Sequence, residues 1–411
     1  MNNIIKIAFR NLYRQKRRTF LTMGIVAFGV LAVLLFSATA GSFKNLIIGE
    51  ITDSMLGHIQ IHKKGFVGAL DNLPLDKSLN AKQLKTVEKT LDAIPEIEGY
   101  SYRILFGGMV SNYLESTSAK FSAIIPAKED VVVPLLKDRL KKGKFLHKGE
   151  VLLPELITKG FDAKIGDDIV LVATNNDGSI NGQPFKISGI MESVMGPTGK
   201  YGYVHFDDAR SLLRMDKIQV SEIAIRLKDF NDMKKVYSTL NEKLGAILNE
   251  KGNPVFEVHT WEELSPFYNI ATMIDLMALF IQVILIGIVL VSIMNVMIMA
   301  VYERTKEIGA ISAMGTLPSK IRLMFLFEGL FLGVFGSVIG VVASLIAIFI
   351  VNISNITVAF GRNSNILLQP EISVSQIMMT ALIVILVAIV AVLEPAFKAS
   401  KLEPIEALRQ N

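Results

Sequence analysis

The sequence predicts an α-helical membrane protein with four transmembrane helices, arranged one plus three, and a large α+β extracytoplasmic domain between the first and the second. Three observations lead there. The runs Thr19–Ala40, Leu276–Ala300, Met324–Val351 and Val374–Leu393 each supply the roughly 20 apolar residues that ~30 Å of hydrocarbon requires. A mixed polar stretch, Gly41–Asp275, separates the first run from the other three and is long enough to bury a core of its own. At 51% hydrophobic residues the chain is rich for a water-soluble protein and lean for a bundle of many spans.

The chain opens on a basic segment with Lys6, Arg10, Arg14, Lys16, Arg17 and Arg18. In Ile4–Tyr13, Ile4, Ile5, Ala8, Phe9 and Leu12 fall near one helical face and Lys6 and Arg10 on another, the pattern of an interfacial helix on the inner leaflet. The apolar run that follows is longer than the roughly 7–15 residues of a signal-peptide core, so the first span is expected to stay. Basic residues also crowd the loop after the second span (Arg304, Lys306, Lys320, Arg322) and the tail (Lys398, Lys401, Arg409), whereas the loop between spans three and four carries only Arg362. Lys and Arg flanking spans remain on the cytoplasmic side. Both termini are therefore expected in the cytoplasm and the large domain outside. The partition is an amphipathic helix over 1–18, spans over 19–42, 271–300, 322–351 and 374–397, the outer domain over 43–270, loops over 301–321 and 352–373, and a tail over 398–411.

Within the outer domain, His58–His62 alternates as a strand leaving the membrane. Ala81–Ala93 places Leu84, Val87 and Leu91 at helical spacing. Tyr100–Phe106 and Met109–Leu114 flank Gly107-Gly108, which reads as a hairpin. Ile169–Thr174 and Pro184–Ile190 bracket Asn175–Gln183, a polar tip with Asp177-Gly178 turn chemistry. Val220–Leu227, a helix over Phe230–Leu248 and Val255–His259 make a β-α-β unit. The alternation predicts two intertwined lobes, the second built from noncontiguous segments.

Several chemistries are excluded. With no cysteine there are no disulfides, thiolate metal sites or cysteine nucleophile. His58 and His62 share a strand face, but no third ligand follows at a metal-site spacing, and no metal is expected. No Gly-x-Ser-x-Gly or His-Glu-x-x-His pattern occurs. A Gly-x-x-x-x-Gly-Lys-Ser/Thr phosphate loop is also absent, since Gly143-Lys144-Phe145 and Gly199-Lys200-Tyr201 lack the upstream glycine and the hydroxyl. Nucleotide-driven work would need another polypeptide.

The loop after the second span is the most specific segment. It reads Val301-Tyr302-Glu303-Arg304-Thr305-Lys306-Glu307-Ile308-Gly309-Ala310-Ile311-Ser312-Ala313-Met314-Gly315, with Glu303 and Glu307 one helical turn apart. This segment resembles the coupling region of the FtsX-like permeases, the MacB/LolC/LolE superfamily of ABC transporters. Ala8–Leu12 and Lys16–Thr22 are similar to the family's entry to the first span, and Glu394–Ala396 with Ala399–Arg409 to its closing motif.

The resemblance implies a non-catalytic permease that pairs with a second copy or a paralogue and docks two ATPase subunits, which bind ATP and Mg²⁺. In that case Glu303, Arg304, Lys306, Glu307, Ile308 and Gly309 would couple to the ATPase. The chain itself is expected to carry no cofactor. Its partners would be the ATPase, the second permease, the phospholipid membrane of a bacterial inner membrane and a periplasmic lipoprotein carrier, with no nucleic acid.

Gly57–His62 after the first span is similar to the lipoprotein-releasing LolC/LolE branch. In LolC the loop corresponding to Asn175–Gln183 is a longer, proline-containing hook that docks the carrier, and here it is short. A MacB-type tripartite efflux permease and an FtsX-type regulator of cell-wall hydrolases are the other branches the resemblance allows. The FtsX type usually has a smaller external domain.

Charged residues are scarce inside the spans, which argues against a polar channel. Glu328 and Glu394, near span ends, are expected to anchor at the interface or pair with a basic loop residue. Gly329, Gly333, Gly336 and Gly340 recur along the third span and allow close helix approach, for packing within the chain or across a dimer seam. Phe36, Phe43, Leu46, Ile47, Ile48, Met277, Phe280 and Ile281, where spans one and two emerge, could line an apolar cleft for acyl chains or pack that seam.

Overall fold

A computed structural model of the chain describes residues 2–175, 177–193, 199–360 and 363–402. In chain order the elements begin with α1 (Asn2–Arg14), α2 (Lys16–Ile51), β1 (Ile59–Lys63), β2 (Leu79–Asn80), α3 (Ala81–Asp92), β3 (Ile97–Ser111), β4 (Ser116–Ile124) and α4 (Pro126–Val132). Next come β5 (Leu140–Gly143), β6 (Glu150–Pro154), α5 (Glu155–Gly160), β7 (Asp168–Thr174), β8 (Ile180–Met191), β9 (Tyr201–His205) and α6 (Phe206–Leu212). Then follow β10 (Gln219–Val220), β11 (Glu222–Leu227), α7 (Met233–Gly245), β12 (Phe256–Thr260) and α8 (Trp261–Leu264). The chain closes with α9 (Tyr268–Glu303), α10 (Thr305–Ala313), α11 (Pro318–Ile353), β13 (Thr357–Phe360), β14 (Asn363–Leu367) and α12 (Val374–Ser400). Contacts divide them into a helical unit, Met1–Leu46 with Asn269–Asn411, and an inserted domain, Ile47–Tyr268.

In the helical unit, α2, α9, α11 and α12 are long and apolar enough to cross a membrane. Three of them have 36 residues, about 54 Å at 1.5 Å per residue, which exceeds the hydrocarbon thickness. Helix α11 is the packing centre because its glycines remove side chains on two sides. A Cβ at Gly329 would stand 2.5 Å from Val392 Cγ2 of α12, and one at Gly336 would stand 2.6 Å from Val26 Cβ of α2. Gly333 likewise faces Ala388, and Gly340 faces the backbone of Ala27. The amphipathic N-terminal helix α1 turns Ala8 and Leu12 into this same buried core, and Phe9 packs edge-on to Phe331 of α11 at 5.7 Å. Ile4, Arg362 and Glu403–Arg409, used in the sequence reading, lie outside the described side chains.

In the inserted domain, β3, β4, β9, β6, β8 and β7 pair in sequence around a closed ring, β7 returning to β3. The first half of β3 instead pairs with β11, which continues to β1 and β12. The 15-residue strand β3 is thus common to both sheets. This corrects the hairpin expected at Gly107-Gly108, which lies inside β3. The glycine serves close approach there: a Cβ on Gly108 would be 2.7 Å from the carbonyl oxygen of Val172 on β7. The real turn is Asn112–Glu115, closed by the Asn112 side chain accepting from Leu114 and Glu115 amides at 3.1 and 2.7 Å.

Strands β11 and β12 flank β1, both antiparallel to it, and are joined by α7, so they form the expected β-α-β unit with a strand inserted between. Met233, Val236, Leu240 and Leu244 are the buried stripe of α7, while Phe230 belongs to a preceding 3₁₀ turn. Helix α3 buries Leu84, Val87 and Leu91 behind a reciprocal Asn80/Gln83 cap. The tip between β7 and β8 is tighter than expected, because β8 already begins at Ile180.

Candidate functional site

Helix α9 ends at Glu303, and the backbone leaves the helix at Arg304 (φ −109°, ψ 15°) before α10 begins. The single helix face expected for Glu303 and Glu307 is therefore divided between two helices. Each carboxylate meets an arginine of the N-terminal segment. Arg18 Nη1 is 3.2 Å from Glu303 Oε2, and Arg14 Nη2 is 2.7 Å from Glu307 Oε1.

The break turns Arg304 inward. Its Nη1 donates to Glu328 Oε1 at 3.0 Å and its Nε to Glu307 Oε2 at 3.3 Å, above the ring of Phe325. Glu328 is only 2% exposed, and the same Oε1 accepts from Asn11 Nδ2 at 2.8 Å. The carboxylate at the end of the third span is thus paired with a basic loop residue. Glu394, by contrast, pairs with Lys398 at 2.7 Å on an exposed helix face. The Thr305 hydroxyl donates to the carbonyls of Val301 and Tyr302 at 3.2 and 2.9 Å, satisfying acceptors left open at the end of α9.

Of the other coupling candidates, Ile308 and Gly309 are buried at the base of α10 and Lys306 is exposed. Beyond α10, Gly315 takes a positive φ of 84°, and the residues on either side of this turn project apolar side chains: Met314 is 78% exposed and Leu317 58%. Sequence reasoning missed this tip. The signal available was an apolar pair around Gly-Thr in an otherwise polar loop.

At the opposite end of the helical unit, α2 and α9 run side by side. Gln282 Nε2 donates to Ser37 Oγ at 3.2 Å, and Lys44 Nζ reaches Asp275 Oδ2 at 2.5 Å. Phe36, Phe43 and Leu46 are half-buried, as is Ile281, while Met277 and Phe280 are exposed. Ile47, assigned to the inserted domain, is buried. Within one chain the exposed members form a face rather than an enclosed pocket. Only 11% of the most apolar stretch of α9 is buried, the least of the four long helices.

In the inserted domain, the strand face bearing His58 and His62 serves a structural ion network. His58 Nδ1 accepts from the Leu227 amide at 3.1 Å. His62 lies 3.6 Å from Glu222, whose other oxygen holds Arg103 at 2.9 Å, and Arg103 also reaches Glu129 at 2.6 Å. Burial disfavours the Glu222 carboxylate, but the adjacent His62 ring and the Arg103 charge outweigh it and hold the group below its ordinary range. Burial likewise opposes the Arg103 guanidinium, and its two carboxylates reverse that and raise it.

Comparison with known proteins places this architecture. Residues 19–243, more than half of the chain, match the MacB-like periplasmic core domain, and residues 279–404 match the FtsX-like permease C-terminal family. The chain is 23% identical to the lipoprotein-releasing system transmembrane protein LolC of Neisseria meningitidis serogroup B, over 98% of each chain. It is 22% identical to an uncharacterised ABC transporter permease of Methanocaldococcus jannaschii, over 100% of this chain and 98% of the other. Among solved structures, the periplasmic region of MacB from Actinobacillus actinomycetemcomitans covers 54% of this chain and 95% of its own length, at 15% identity and a TM-score of 0.36. Four long apolar helices, a sheet-rich domain inserted after the first, and family matches over both parts lead to one conclusion: the chain belongs to the MacB/LolC family of FtsX-like ABC transporter permeases.

Proposed function

We propose that this chain is the non-catalytic transmembrane subunit of a transporter that extracts lipoproteins from the bacterial inner membrane. A separate ATPase, in two copies, would bind ATP and Mg²⁺ and do the hydrolysis. Both termini and the loop 301–321 would face the cytoplasm, with the inserted domain in the periplasm, as the basic residues at one end of the helical unit favour.

The observation that carries the coupling half is the loop itself. Its base is fixed by buried Ile308 and Arg304, and its tip offers Met314 and Leu317 to solvent, as a docking projection requires. The cargo half is supported by the similarity, along nearly all of both chains, to a LolC named for lipoprotein release. An acylated cargo needs an apolar, laterally open surface, since each buried CH₂ contributes about 0.8 kcal/mol. Phe36, Phe43, Leu46, Ile47, Met277, Phe280 and Ile281 are the residues proposed to supply it, together with a second permease copy or paralogue.

The short tip between β7 and β8, in place of a carrier-docking hook, favours a LolE-like permease or a related exporter of another substrate, and a MacB-type efflux role is the second reading. The test is reconstitution of the full chain with an ABC ATPase subunit from the same organism, in vesicles loaded with a radiolabelled triacylated lipoprotein and supplied with a soluble lipoprotein carrier. ATP-dependent release of lipoprotein is expected. Hydrolysis with no release, but with export of small amphiphiles, would overturn the lipoprotein reading in favour of efflux.

A further inference from the structure

We infer that Arg304, Glu328 and Asn11 form a joint that carries movement of α10 into α11 and α1 together, making the N-terminal helix a working part of the coupling element. The inference rests on the reading of loop 301–321 as the ATPase-facing segment and adds the residues that would transmit the movement.

The geometry is specific. One oxygen, Glu328 Oε1, accepts from Asn11 of α1 at 2.8 Å and from Arg304 of the loop at 3.0 Å, so three elements meet on one atom of α11. Asn11 and Glu328 are 317 positions apart in the chain, so no local turn accounts for their meeting. The pair is deep, with Glu328 2% and Arg304 8% exposed, among Met324, Phe325 and Leu332. A buried ion pair is a poor way to gain stability, because packed apolar side chains of similar volume do as well or better. What such a pair supplies is a defined arrangement that resists separation, since neither charge can be left alone in an apolar surround.

Two exposed ion pairs point the same way. Glu303 and Glu307, the only acids between residues 301 and 317, both reach arginines of the N-terminal segment, Arg18 and Arg14. Each is weak alone, being solvent-screened. Together they tie the end of α9 to the start of α2 and the start of α10 to the end of α1, while the buried joint ties the break between α9 and α10 to α11 and α1. A displacement of the Met314–Leu317 tip then has a direct route into α11, which continues for the length of the bundle.

The absence of cysteine allows a clean test. In nanodiscs, the full chain with Ile353→Cys, at the far end of α11, is combined with the ATPase, and the thiol modification rate is measured without nucleotide and with ATP plus vanadate. The expected result is at least a three-fold change in rate. Glu328→Gln should abolish that change while ATPase capture and hydrolysis stay within two-fold. The charge swap Arg304→Glu with Glu328→Arg should restore it in part, because the Asn11 amide can present its oxygen to an arginine while a carboxylate at position 304 loses the pairing with Glu307.

The joint is overturned if the unaltered chain captures and supports the ATPase without any rate change at position 353, or if the change survives Glu328→Gln. It is equally overturned if Glu328→Gln loses ATPase capture, since the three residues would then only hold the loop in shape, or if the swap captures the ATPase but stays unresponsive. If the unaltered chain captures no ATPase at all, the transporter reading itself fails, and the two failures are thereby told apart.

Discussion

Two buried arginines show what single residues do here, and neither was legible as buried in the sequence. Arg304 was expected to face the ATPase with the rest of the loop; the helix break and the distant Glu328 and Asn11 explain its inward position. Arg103 sits in a strand whose partners Glu129 and Glu222 lie elsewhere in the chain, so no spacing rule could have assembled them. Such pairs depend on tertiary placement, which local periodicity does not encode. Replacing Arg103 with methionine leaves two buried carboxylates without their counter-charge and should destabilise the inserted domain by about 3–5 kcal/mol. Trp261, the only tryptophan in the chain and buried within this domain, makes its unfolding readable by fluorescence in the intact protein. An unchanged denaturant midpoint for Arg103→Met would contradict the network's role.

The same probe reads the pH dependence. A carboxylate held low in the folded state stabilises fully above its unfolded value, here the ordinary 4.5 for Glu222, and loses that contribution as pH falls through the lower folded value. The Trp261 transition should therefore weaken as pH falls below about 4.5, and Glu222→Gln should flatten that acid loss.

At the scale of elements, the strongly periodic pieces were readable and the interruptions were not. Helix α3 buries the stripe its sequence marks, α7 does so over Met233–Gly245 rather than the expected Phe230–Leu248, and the four long apolar helices lie over the four apolar runs. Gly107-Gly108 misled because a glycine pair signals a turn and a close strand approach equally; the steric demand of Val172 on Gly108 appears only when β7 is in place. The break at Arg304 was hidden because Glu303, Lys306 and Glu307 are ordinary helix formers.

The glycine row of α11 gives a prediction at this scale. Gly329→Ala brings a methyl against the Val392 side chain and Gly340→Ala brings one against the backbone oxygen of Ala27 at 2.6 Å. Each should destabilise by about 1–3 kcal/mol. Adding Val392→Ala should recover part of the loss for Gly329→Ala, and no side-chain change on α2 should do so for Gly340→Ala. Thermal stability of the purified full chain checks both, and equal rescue of the two would refute the contact assignments.

For the molecule as a whole, the layout of one apolar helix, a large insert and three more was readable because bilayer thickness imposes a length that few other constraints imitate. What was not readable is how the candidate coupling residues divide their work. Glu303 and Glu307 each stand in an exposed ion pair with Arg18 and Arg14, and the turn beyond them exposes Met314 and Leu317, which we propose as a further part of the ATPase contact.

In the proposed function this chain harnesses an ATPase held in a separate subunit, through that turn. The deciding measurement is capture of an ABC ATPase subunit from the same organism by the purified full chain, with hydrolysis followed in the same samples, for the unaltered protein and for Met314→Glu with Leu317→Glu. No hydrolysis by the chain alone is expected, with a complex that hydrolyses ATP when the ATPase is present, and at least ten-fold weaker capture by the double variant with the Trp261 fluorescence of the inserted domain unchanged. Hydrolysis by the chain alone, or capture undiminished in the double variant, would contradict it.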